Sequence, residues 1–331
     1  MNQNPETLKF EQPRLIGSMM AGFHSVANHA WVILIPLCID ILLWFTPRLR
    51  VDQLMLPTLE KALTQSEQMS GANAETIVLM GDFLRGILEN FNLSGAIRSY
   101  PIGVPSLLAG LGGSQTPIGE TLVLQIGSVG QAFLIFLTLS FLGFIIGSLF
   151  FHQISGITHE ANTPQTDQGS LWKIGQSLIM TVALFIISAF VIIPGSLIIS
   201  LLSMISPLVG QLAFFLYLFL IFWFTVPWFY SYHGIFVFGF PAVKSALVSL
   251  KVGRIFITKT AMLILLVLLT SQGMNLLWMT PPVSSWLLLL GILGHAIVSA
   301  GLLSTTIVYY RQIHRVLVML EALRQKESST I

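Results

Sequence analysis

Six long apolar runs, separated after the first by a polar insertion of about eighty residues, constrain this chain more than any motif does. Each run is long enough to cross a bilayer, which takes roughly 20 predominantly apolar residues. In lipid every backbone donor and acceptor must be satisfied inside the protein, so such runs fold as helices. Charged residues make up only 9% of the sequence against the roughly 25% of an ordinary soluble domain, so one large soluble core is excluded. The expected fold is all-α and polytopic, with six transmembrane helices and a mainly helical insertion between the first and second.

The runs are read as Val26–Phe45, Gly127–Phe151, Ile174–Met204, Leu208–Phe229, Ile255–Met279 and Ser284–Tyr310. Before the first, Leu15, Ile16, Met19, Met20 and Phe23 share one helical face, the pattern of a short helix lying in the membrane interface. The domain plan is therefore an N-terminal segment 1–25, a spanning helix 26–46, an insertion 47–126, a helical block 127–310 and a tail 311–331. The third run exceeds what the hydrocarbon needs and carries Pro194, which predicts a kink near Ile193.

Basic residues set the expected orientation. Lys9, Arg14, Lys173, Lys244, Lys251, Arg254, Lys259, Arg311, Arg315, Arg324 and Lys326 all fall on one side of a six-span arrangement, while the short loops 205–207 and 280–283 carry none. Both ends are thus expected in the cytoplasm, and the 47–126 insertion outside. Within it, 51–67 and 74–91 are expected as helices. Ile77, Met80, Leu84, Ile87 and Phe91 form a stripe that something must cover: the rest of the hairpin or the membrane domain, or a docked partner or second copy. The following stretch, Ser99–Glu120, is too rich in proline and glycine for a spanning helix. It is also too apolar at Ile102, Val104, Leu107, Leu108 and Leu111 for a free linker, so a loop on the bilayer surface or capping the bundle is expected.

Polar residues inside apolar runs are the candidate site. Asp40 lies within the first run, where a charge is costly and must be compensated. His29, Ile33, Pro36 and Asp40 follow at steps of four, three and four, which on a continuous helix is one face, with Pro36 freeing the carbonyl of Val32. His295 lies mid-way along the last run, and Gln272 and Asn275 near the outer end of the fifth, so all could line one polar path. The competing reading is structural: Asp40 held by an Arg, Tyr or Trp of a neighbouring helix, and the histidine and amides bonded across helix interfaces. Gly143 and Gly147 form a small-residue pair for close helix packing. The aromatic stretch Phe222–Phe240 reads as an interfacial belt.

Several classes are excluded on content. One cysteine, Cys38, rules out disulfides and cysteine-based metal sites, and the His152, His159 and Glu160 spacing matches no zinc pattern. GLGGSQTPIGE lacks the Lys-Ser/Thr of a phosphate loop, and no hydrolase or kinase motif occurs. A net charge of +2 gives no basis for nucleic-acid binding. Asn92-Leu93-Ser94 fits a glycosylation sequon, relevant only in a eukaryotic secretory route. No cofactor is expected, and the expected partners are the lipid bilayer and a protein or second copy docked on the insertion.

Phe238–Leu269 resembles bacterial six-helix membrane modules that stand alone or precede a glycerophosphodiester phosphodiesterase domain. Pro241, Ala246, Ser249, Lys251 and Arg254 occupy that pattern: a proline entering the fourth connection, a short amphipathic helix, then basic residues leading into the fifth span. The insertion after the first span departs from it, and no phosphodiesterase domain follows the sixth. The resemblance implies a fold and a bacterial setting, and no activity. The expected function is that of a non-enzymatic membrane scaffold or complex partner. The alternative is a transporter or permease component built around Asp40 and His295.

Overall fold

A computed structural model of the chain describes residues 14–70, 74–99, 101–159 and 168–328. Lys9 and Glu160 lie outside the described residues. Eleven α-helices occur among those described: α1 Leu15–Asn28, α2 Leu34–Phe45, α3 Asp52–Ser70, α4 Ala74–Glu89, α5 Val129–Ile157, α6 Ser170–Ile205, α7 Pro207–Thr225, α8 Ser231–Phe238, α9 Ala242–Ile255, α10 Ile257–Trp278 and α11 Leu288–Ser328. Two minimal sheets accompany them, β1 (Arg48–Arg50) parallel to β4 (Val123–Gln125), and β2 (Gln115–Thr116) antiparallel to β3 (Gly119–Glu120). Five helices are long and apolar enough to cross a membrane: α5, α6, the run Pro207–Phe238, α10 and α11. These are the helices of a membrane protein.

The first apolar run is not one straight span, which corrects the sequence reading. The chain bends by 93° between Leu15–Asn28 and Ala30–Phe45, so a sixth span exists only if this bent pair counts as one. Pro36 supplies the reason. A proline is tolerated in a helix's first turn, where its missing donor is not needed, and α2 restarts with Pro36 as its third residue. Ala30–Ile33 forms a 3-10 turn before it, and His29 leaves helical geometry at φ −133°. Other bounds shift as well. α6 continues through Pro194 without a break to Ile205, and α11 runs on past Tyr310 to Ser328, so most of the expected tail is helix.

Residues divide into two compact units, several helices contributing to both. The first comprises the chain up to His29, Phe151–Thr270 and Ala300 onward. Here α1 lies along α11: a Cβ on Gly22 would come within 2.5 Å of the Thr305 backbone, and Ser18 Oγ donates to Gln312 Oε1 at 3.1 Å. α6 and α7 form an antiparallel pair around Gly195, whose open flank receives the Tyr217 ring. Most of the large apolar side chains of this pair are exposed, as lipid-facing residues must be. α8 is the unit's core. Ser231–Val237 are all buried, so the second half of the aromatic stretch is interior and not an interfacial belt. Gly239, at φ +63°, ends α8 in the left-handed turn that glycine adopts without penalty. Lys173 and Arg311, expected as loop charges, are buried too: Lys173 Nζ donates to Phe236 O and Arg311 Nη2 to Ser155 O, each at 3.1 Å.

The second unit comprises Ala30–Phe150 and Ser271–Ser299. α3 and α4 pack as a hairpin with Gly81 against the Leu63 side chain, and the inner part of the expected stripe, Ile77 and Leu84, turns toward that contact. Met80, Ile87 and Phe91 stay exposed. The core is built from α2 (Ile39, Leu43, Trp44), the loop after α4 (Ile97, Val104, Leu108) and the start of α11 (Leu288, Ile292). The apolar loop, expected on the bilayer surface or capping the bundle, thus contributes Ile97, Val104 and Leu108 to the interior.

Candidate functional site

The loop 92–113 enters the second unit because two glycines of α5 make room for it. A Cβ on Gly143 would fall 1.9 Å from Ile97 O, and one on Gly147 2.6 Å from the Gly103 backbone. The small-residue pair is therefore a seat for the loop and not a seam between helices. At about 1.5 Å per residue these positions lie roughly 21 and 27 Å along α5 from its first residue. Non-helical backbone at such depth is tolerated only when protein groups satisfy it.

Asp40 does much of that. Its carboxylate is fully buried and accepts from Ser106 Oγ at 2.5 Å and from the Leu107 and Leu108 amides at 3.0 Å each. The Ser106 hydroxyl in turn accepts from the Ala109 amide at 2.9 Å. Asp40 is thus hydrogen-bonded by the turn of a loop; no arginine, tyrosine or tryptophan among the described residues bonds it, and Arg98 acts on it through its charge alone. Arg48 closes the same unit from the other side. It donates to Gly113 O at 2.9 Å and to Leu43 O and Trp44 O, carbonyls left open at the end of α2, at 2.6 and 3.3 Å. Burial lowers the pKa of this guanidinium from its ordinary value. Arg50 reaches Gly112 O at 2.8 Å. Asn92, buried, accepts from the Leu49 and Ser94 amides and donates to Leu111 O, so the sequon asparagine is consumed in the fold. At the foot of the loop, Ser99 takes φ +26°, and its hydroxyl donates to Ile102 O. A Cβ on Gly103 would lie 1.5 Å from Arg98 O, so only glycine fits this turn.

His295 forms a second polar group in this unit. Its Nδ1 pairs with Asn275 Oδ1 at 2.9 Å, and its Nε2 faces Ser299 Oγ at 3.3 Å. Gly291 and Gly294 allow the approach, since side chains there would collide with Trp278. Gln272 is exposed and makes no hydrogen bond with the described residues. His29 is exposed and caps the last turn of α1 through Ser25 O at 3.0 Å. The bend at this residue removes the continuous face that was to carry it to Asp40. Of the five expected site residues, His295 and Asn275 are bonded to each other, Asp40 is bonded to the loop, and Gln272 and His29 join neither group.

Arg98 is the residue that sequence reasoning missed. Its guanidinium is exposed, makes no hydrogen bond with the described residues, and lies within electrostatic reach of both Asp40 and His295. The available signal was a lone basic residue inside an otherwise apolar, glycine-rich stretch. Among the described residues, no three histidine, cysteine or carboxylate side chains group as a metal site.

No family model, curated protein or solved structure matches this chain. What the arrangement can do chemically therefore has to be read from its own residues. The Asp40, Arg48 and Asn92 groups hold backbone in place, and none presents a nucleophile paired with a base.

Proposed function

We propose that the protein is a non-enzymatic scaffold of a bacterial cytoplasmic membrane, with both ends in the cytoplasm, that associates with a second copy of itself through the α3–α4 hairpin outside. The observation carrying this reading is the outer face of α4. Leu79, Phe83 and Ile87 recur every four residues along α4 and, with Phe91 just beyond its end, are 41–65% exposed, on a hairpin distinct from the five long apolar helices. Two helices alone cover one face of each, and an apolar stripe of this kind marks an interaction site.

A second copy fits chemically. Between α3 and α4 lies an open groove of about 310 Å³, with Leu63, Ile77, Val78 and Gly81 along it and Glu60 and Arg85 at its sides. The α4 helix of another copy brings the apolar ridge of Leu79, Phe83 and Ile87 to that groove; Arg85 is already paired with Asp82 of its own helix at 3.1 Å, so apolar side chains carry the contact. The exposed apolar side chains amount to several hundred Å², the same order as the roughly 800 Å² per partner of a standard interface. The test is native mass spectrometry after mild extraction, comparing the natural chain with Phe83→Glu. A dimer that Phe83→Glu dissolves supports the reading. A monomeric natural chain sinks it, and a stoichiometric different protein overturns self-association in favour of a heterologous partner.

Arg98 favours a second reading, a transport component. An unbonded cation within electrostatic reach of Asp40 and His295, at the foot of this loop, suits an anionic ligand. In the same spectra, a small anion retained by the natural chain and lost from Arg98→Gln would select transport. Its absence from both would remove this reading.

A further inference from the structure

Tyr230, Tyr309 and Tyr310 are fully buried in the first unit; the hydroxyls of Tyr309 and Tyr310 have no hydrogen-bond partner among the described residues, and those of Tyr230 and the buried Thr260 have none beyond each other. The groups are neighbours. Tyr230 stacks on Tyr310 at 5.1 Å between ring centroids, and its hydroxyl faces Thr260 and lies within electrostatic reach of Tyr309 and Tyr310. Ser231 Oγ and His233 Nδ1 beside them also lack a partner, whereas the remaining polar side chains nearby are committed. Thr306 Oγ1 donates to Leu303 O and holds His233 Nε2 at 2.9 Å, Ser245 Oγ donates to Ser231 O at 2.5 Å, and Ser249 Oγ to Pro227 O at 2.7 Å. A buried hydroxyl without a partner forfeits its hydration for nothing, and native proteins rarely gather several in one place.

We propose that these four hydroxyls line an internal water site where α8, α10 and α11 meet. The chemistry selects water. Every lining group is a neutral hydroxyl that can both donate and accept, and a buried water makes two to four hydrogen bonds of that kind. Such a molecule joins residues from the start of α10 and from α11 to the chain entering α8, and gives Tyr309 and Tyr310 the partners the protein does not.

Hydroxyl-radical footprinting of the intact protein in lipid nanodiscs tests this, because radicals generated from bound water label buried side chains beside it. Trp44, buried with its Nε1 already bonded to Val283 O, and Phe236 serve as dry references. Labelling of Tyr230, Tyr309 and Tyr310 at least about tenfold faster than both references is expected for a hydrated site. Rates equal to the references overturn it. Tyr310→Phe gives an independent reading: slower labelling of Tyr230 and a lowered thermal midpoint are expected if water is lost. A raised midpoint, the response of a dry cluster relieved of an orphan hydroxyl, counts against the site. Thr260→Val is read the same way should Tyr310→Phe fail to fold.

Discussion

Asp40 turns a loop into a core element. Each of its three hydrogen bonds comes from the Ser106–Leu108 turn, so removing the carboxylate strands two buried amides and a hydroxyl. Asp40→Ala is expected to cost several kcal/mol, at about 1–3 kcal/mol per orphaned donor, and Asp40→Asn less because one acceptor oxygen remains. Thermal unfolding in detergent reads the order, and an Asp40→Ala protein melting with the natural one would show that the turn does not depend on it. Arg48 makes the complementary case. Arg48→Lys keeps the charge but cannot reach Leu43 O, Trp44 O and Gly113 O together, because an ammonium lacks the planar fork of a guanidinium. A loss of about 1.5–3 kcal/mol for each bond given up is expected in the same melt.

The loop's depth is governed by α5. Gly143→Val places side-chain atoms where Ile97 O now lies, whereas Gly130 in the same helix has nothing within 4 Å. Gly143→Val should expel the 92–113 segment and open it to protease, while Gly130→Ala should leave digestion unchanged and stabilise α5 by up to about 1 kcal/mol. Equal digestion of the two variants would mean the seat at Gly143 is dispensable. These elements also show what the sequence could carry. The long apolar runs were legible because exclusion of water forces helix over their whole length, and the α3–α4 hairpin because its period is regular. The break after Asn28 was not, because Pro36 looks the same inside a helix as in the first turn of a new one. The loop's burial rests on backbone touching backbone at Gly143 and Gly147, which leaves no trace in hydropathy. Tyr230–Phe238 resembled an interfacial belt because aromatic density does not distinguish interface from interior. In the site, His295 and Asn275 were found as polar residues in apolar runs, whereas Arg98, the lone charge of the stretch 92–113, lies outside those runs, where a charge carries no cost that asks for a partner.

For the whole molecule, the proposed orientation makes a direct prediction. In a Cys38→Ser background, Thr64→Cys on α3 should react with an impermeant maleimide added to intact cells, and Arg324→Cys at the end of α11 only after the membrane is opened. The reverse pattern would invert the protein, and reaction of both from outside would require an even number of crossings between the two positions. The distance in sequence between Asp40 and its partners has a further consequence, in time. Ala30–Phe45 leaves the ribosome before the loop does, short for a membrane crossing at roughly 24 Å and carrying an acid whose hydrogen-bond donors are 66 to 68 residues downstream. At about 5–20 residues per second, that acid waits for several seconds before the Ser106–Leu108 turn exists. This hydrophobic segment is therefore completed by a later one, and biogenesis has to shelter an unfinished acidic helix through that interval.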